Sequence, residues 1–186
     1  RVFDCLGSTL VSTIISGIDW VVGDHVFLDP AVANLSLGVN GISTLLDDAI
    51  QRMIDDNITV VVAAGNDGVD SCTVSPSDVT NAITVNASDT TDHFSVWNAT
   101  QSSNFGACSD LYAPGTSITS AWYTGNSSTA ILSGTSMAAP HVAGVAARIL
   151  DDAPSLTPAG VWGAIDGETT AIAVGRGGAD PNKLLF

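Results

Sequence analysis

Ser136 is the residue whose setting best suits covalent chemistry. It lies in Ser133-Gly134-Thr135-Ser136-Met137-Ala138-Ala139-Pro140-His141-Val142-Ala143-Gly144, a glycine turn that runs straight into a helix of small residues. A hydroxyl that attacks a carbonyl gains from a helix start, where free backbone N–H groups and the positive dipole end face the developing oxyanion. Ala138, Ala139, Ala143, Gly144, Ala146 and Ala147 allow close packing beneath it. Val142, Val145, Ala146 and Ile149 recur at helical spacing and mark the buried face. Pro140 falls in the early turns, where a missing N–H is least disruptive, though it should distort the ladder locally.

A second candidate is an amide. Ile58-Thr59-Val60-Val61-Val62-Ala63-Ala64 is apolar and β-branched, which predicts a parallel strand buried on both faces. It ends at the turn cluster Gly65-Asn66-Asp67-Gly68. Ligands of open α/β sheets bind beyond the carboxyl ends of strands, so Asn66 is placed to donate its side-chain amide. Taken alone, it reads more simply as an asparagine that tolerates a left-handed turn before Gly68.

The elements around these two residues alternate. Strands are expected at residues 2–5, 32–37, 58–64, 82–85 and 111–113, and helices at residues 13–22 and 43–56. The second helix carries Leu45, Leu46, Ala49, Ile50, Met53 and Ile54 on one face and Asp47, Asp48, Gln51 and Arg52 on the other. Ser43 or Thr44 can cap its start, and Asn57 can end it. Strands separated by helices imply right-handed crossovers and one α/β domain, with a parallel sheet flanked by helices on both faces.

Composition excludes several classes. At 186 residues with 45% hydrophobic content, the chain can bury a substantial core. A net charge of −14 argues against nucleic acid or an anionic membrane as partner. No apolar run approaches the roughly 18 residues of a membrane span. No Gly-X-Gly-X-X-Gly follows a strand, so dinucleotide binding is disfavoured. No His pair has ligand spacing, and Cys5, Cys72 and Cys108 are too scattered for zinc, so no catalytic metal or cofactor is expected.

The Ser136 run resembles the nucleophile motif of the subtilisin-like serine proteases, and Ala63-Ala64-Gly65-Asn66 resembles their oxyanion-hole segment. The resemblance implies a three-layer subtilisin-like fold and acyl transfer on Ser136, with Asn66 stabilising the oxyanion. The family's Asp-Ser/Thr-Gly and His-Gly-Thr-His motifs are absent, and Arg1-Val2-Phe3-Asp4-Cys5 resembles a strand well inside the domain. The chain is therefore expected to be a partial domain whose triad aspartate and histidine lie in a missing N-terminal segment. Alone, it should be inactive. His141 is more than one helical turn from Ser136, and His25 and His93 sit in polar loops, so none is expected to be the base.

The same resemblance places the substrate. Ser36, Leu37 and Gly38 look like one wall of the S1 pocket and Ala63, Ala64 and Gly65 like the other, which implies an apolar or aromatic P1 side chain. Gly7, Ser8 and Thr9 resemble the edge that pairs with an extended peptide. Thr9 and Val39 stand where relatives usually carry glycine. Pro30-Ala31-Val32-Ala33-Asn34, Ala113-Pro114-Gly115-Thr116-Ser117-Ile118 and Pro181-Asn182-Lys183-Leu184-Leu185 are similar to the proteinase K and aqualysin branch. That branch implies a Cys72–Cys108 disulfide and a structural calcium held by Asp110 with the carbonyls of Thr80 and Ala82. Cys5 is left as a buried thiol or as the partner of a cysteine elsewhere. Sequons begin at Asn34, Asn57, Asn86, Asn98 and Asn126, with Asn34 expected on a buried strand. A secreted monomer acting on polypeptides, with a propeptide, is the implied whole. The alternative is an inactive relative that binds peptides or serves a structural role.

Overall fold

The computed structural model describes residues 1–4, 7–172, 175–176 and 178–185. Four helices and six strands follow in the order α1 (Val11–Asp24), β1 (Ala31–Leu35), α2 (Thr44–Asp55), β2 (Ile58–Ala63), β3 (Ile83–Ser88), β4 (Leu111–Pro114), β5 (Ile118–Ala121), β6 (Thr129–Leu132), α3 (Thr135–Asp152) and α4 (Pro158–Glu168). Strands β1 to β4 form one sheet in chain order, and every pairing in it is parallel.

Alternation along β2 explains the layering. Val60 and Val62 pack with Ile14 and Ile18 of α1 and Leu46, Ala49, Ile50 and Met53 of α2. Val61 and Ala63 pack with Ala138, Ala139, Val142, Ala146 and Leu150 of α3 and Val161 and Ile165 of α4. Both faces of the strand are therefore dry, as a continuous apolar run requires. The small residues of α3 let it lie directly across the sheet, and it touches all four strands. The expected three-layer α/β architecture holds.

Several boundaries differ from expectation. Val2 to Asp4 form no strand, and Cys5, with its pairing, lies outside the described residues. β1 stops at Leu35, short of the expected residue 37, and Leu37 and Gly38 beyond it line the cleft described below. Ser43 occupies the N-cap position of α2, but its side chain makes no capping bond, and its backbone N–H donates instead to Ser75 Oγ at 2.8 Å. Asn57 does end that helix region, in the left-handed conformation at φ 67°. Asn34 is exposed rather than buried, because β1 is the outermost strand of the described sheet.

Two elements had no counterpart in the sequence reading. β5 and β6 pair as an antiparallel ribbon outside the sheet, with Ile131 and Leu132 exposed. α4 opens on Pro158 after Thr157, whose hydroxyl accepts the Gly160 N–H at 3.2 Å.

Candidate active site

Gly134 makes the entry to α3 possible. Its φ of 152° suits glycine, and a Cβ there would stand 3.4 Å from Asn66 Oδ1. The Asn66 amide lies against this turn, over the helix start. Asn66 Oδ1 accepts the Thr135 N–H at 2.9 Å and the Thr135 hydroxyl at 3.0 Å. Thr135 Oγ1 accepts in turn from the Gly65 N–H at 3.1 Å. With its oxygen fixed twice, the Asn66 amide has one orientation, and its Nδ2 has no acceptor among the described residues. The Ser136 N–H, one of the orphan donors of the first helical turn, has none either.

Ser136 and Asn66 line one cavity of about 290 Å³, together with Leu37, Gly38, Ala63, Ala64 and Gly65. Ser36 does not line it but reaches the nucleophile from behind. Pro140 has no N–H to offer the Ser136 carbonyl four residues back, and the Ser36 hydroxyl fills that place at 2.8 Å. Asn34 Nδ2 donates to the same hydroxyl at 3.1 Å. The Ser136 Oγ lies 3.5 Å from the Ser36 carbonyl, at the limit of a hydrogen bond, so the hydroxyl is not tied down. Ser36→Ala is expected to cost about 1 kcal/mol by leaving the Ser136 carbonyl without its donor. Calorimetry should then show a Tm lowered by about 2–4 °C.

Known proteins match this chain. The Subtilase family pattern covers residues 4–178. The chain belongs to the subtilase family. It is 50% identical over its whole length to an "Extracellular serine proteinase" of Thermus sp. (strain Rt41A), of which it covers 44%, and 41% identical to "Alkaline serine exoprotease A" of Vibrio alginolyticus, of which it covers 33%. It superposes on the crystal structure of a cold-adapted subtilisin-like serine proteinase with a TM-score of 0.91 at 42% identity, covering all of this chain and 64% of that one. The chain thus spans less than half the length of these two curated relatives.

The subtilase chain keeps its three histidines away from Ser136. His25 Nδ1 meets Asp56 Oδ2 at 2.8 Å and its Nε2 meets the Asp29 carbonyl at 3.0 Å. Burial works against the charged imidazole there, but the Asp56 carboxylate and the Asp29 carbonyl outweigh it and raise the pKa. His93 Nδ1 lies 2.7 Å from the Thr91 carbonyl, and His141 Nδ1 lies 2.8 Å from the Met137 carbonyl. None of the three lines the Ser136 cavity.

Gly7, Ser8 and Thr9 are not brought to that cavity. Ser8 and Thr9 line a separate hollow with Arg1 and Leu10, and Gly7 turns at φ 78° beside it. Val39 does line the cavity, and its N–H donates to the Ser75 carbonyl at 2.9 Å. Cys72 and Cys108 are joined as a disulfide with their Cα atoms 5.1 Å apart. Thr80, Ala82 and Asp110 line one hollow of about 240 Å³. Burial pushes the Asp110 carboxyl up to about 6, even though its Oδ2 accepts the Thr84 N–H at 2.7 Å. A buried carboxylate beside oxygen donors fits a hard cation such as calcium. No cluster of three or more His, Cys, Asp or Glu side chains exists among the described residues, so the remaining ligands would have to be carbonyls and water.

Sequence reasoning passed over Thr135, although it adjoins the nucleophile. It also passed over Asn104, Ser75, Ser77 and Asp67, which line the cavity. Thr135 sits inside the motif and could have been singled out. The others are isolated polar residues with no periodic or spacing signal.

Proposed function

We propose that the whole protein is a secreted serine endopeptidase and that this chain carries its nucleophile, its oxyanion donors and its P1 pocket. One observation supports this most: the Asn66 Nδ2 and the Ser136 N–H both stand unengaged on the cavity that holds the Ser136 hydroxyl. Ser136 Oγ attacks the scissile carbonyl carbon while its proton passes to an imidazole base. The former carbonyl oxygen takes the negative charge and is met by the two free donors. Collapse breaks the C–N bond, the imidazolium protonates the leaving amine, and water then hydrolyses the acyl ester on Ser136. In this reading the base and its orienting aspartate come from a segment outside these 186 residues, since none of the three histidines here lines the Ser136 cavity.

Small and apolar walls at Gly38, Ala63, Ala64 and Leu37 favour an apolar or aromatic P1 side chain. The extracellular names of relatives from Thermus and Vibrio-like sources support secretion, as the disulfide does. A fluorophosphonate probe on the full-length protein tests the reading. Modification mapped by mass spectrometry to Ser136 is expected; a protein left unlabelled would instead be a peptide-binding or structural relative.

Asp110, with the carbonyls of Thr80 and Ala82, holds a structural calcium in this reading. The raised Asp110 pKa gives a signed test. A proton on this carboxyl stabilises the fold below about pH 4, the unfolded value, and that contribution is lost as pH rises through about 6. In chelator, the Tm of the wild type relative to Asp110→Asn should therefore fall between those limits. Millimolar calcium should abolish the fall by replacing the proton, and a calcium-independent difference would count against the site.

A further inference from the structure

Asn104 lies outside every motif that carries the protease reading, yet its bonds converge on the oxyanion turn. It is 1% exposed. Its Nδ2 donates to the Ala64 carbonyl at 2.7 Å, and its Oδ1 accepts the N–H groups of Asp67 and Val69, each at 3.1 Å. Its own backbone N–H donates to the Gly65 carbonyl at 2.8 Å. One residue therefore fastens four backbone groups that flank Asn66 on both sides. Gly65 makes room for it: φ there is 106°, and a Cβ would fall 2.3 Å from Asn104 Nδ2.

The turn has few other supports. β2 ends at Ala63, and the other bonds to the turn are the Ala64 N–H to the Val85 carbonyl, the Gly65 N–H and Asn66 Oδ1 to Thr135, the Gly68 N–H to the Ser102 carbonyl and the Phe105 N–H to the Val69 carbonyl; none of these partners holds both sides of Asn66. A donor preorganised for an oxyanion is only as good as the frame that aims it, and small displacements there cost rate. We propose that Asn104 is a positioning residue that sets residues 64–69 so that the Asn66 amide meets the developing oxyanion. The proposal rests on the protease reading above. Asn104 also lines the cavity, so the competing role is to shape the P1 pocket.

The two roles separate kinetically in the full-length protein. N104A removes three bonds, and the isosteric N104D keeps the acceptor while turning a carboxylate oxygen against the Ala64 carbonyl. Each is expected to lower kcat by about tenfold to a hundredfold, with KM within about twofold and the same factor for alanyl and phenylalanyl P1 substrates. In an N66A background, N104A should cost less than about twofold more, because the donor it aims is already gone. A full additional loss in that background, or a loss that changes with P1, overturns the proposal. Thermal midpoints of both variants report any general loss of fold. Amide exchange provides an independent arm: in N104A, which removes the shared acceptor, the Asp67 and Val69 amides should exchange faster while those of β2 and α3 keep their protection. If the wild type cleaves nothing, the protease reading has failed. Unchanged exchange at those two amides would then overturn the positioning role separately.

Discussion

Replacing Ser136 with alanine in the full-length protein should lower kcat by about 10⁶-fold, a range taken from removal of the serine in subtilisin, a member of this family. No neighbouring hydroxyl can stand in. Thr135 Oγ1 is spent on the Gly65 N–H and on Asn66, and the Ser36 hydroxyl is spent on the Ser136 carbonyl. KM should stay within a few-fold, because the Oγ makes its decisive bond only after attack. Covalent labelling should vanish with it. A loss smaller than about a hundredfold in steady-state hydrolysis would mean that another group supplies the nucleophile.

Asn66→Ala is the second large effect. It should lower kcat by about 10²–10³, the size known for loss of one such donor in subtilisin. The reason is differential: the amide binds a charged oxygen more strongly than a neutral carbonyl, so KM should change little. Asn66→Asp is the sharper variant. It can keep the oxygen that accepts from the Thr135 N–H, yet it would aim a second carboxylate oxygen where the oxyanion forms. Its kcat should be no higher than that of the alanine variant. Steady-state kinetics on one peptide substrate checks both.

Legibility followed the kind of signal each feature carries. β2 was readable because a strand buried on two faces must be a continuous apolar run, and α2 because a half-buried helix must repeat at 3.6 residues. The Ser136 motif was readable because turn, nucleophile and helix start must be consecutive. The β5–β6 ribbon escaped because its residues are largely exposed and alternate weakly. Asn34 was misjudged because its neighbours are apolar, while its exposure depends on whether another strand lies beside β1, which no local pattern reports. Asn104 was invisible for a related reason. A lone buried asparagine takes its meaning from backbone groups some 35 to 40 positions away. Ser36 was expected in the pocket wall but does not line the cavity, and its bond to the Ser136 carbonyl spans 100 positions, which no local pattern reports.

A crystal structure of the full-length protein with a peptide boronate would probe the heart of the account. The boron should be bonded to Ser136 Oγ, with one boronate oxygen about 2.7–3.1 Å from both Asn66 Nδ2 and the Ser136 backbone nitrogen. An adduct on any other residue, or a boronate oxygen turned to solvent with the Asn66 amide rotated away, would contradict it.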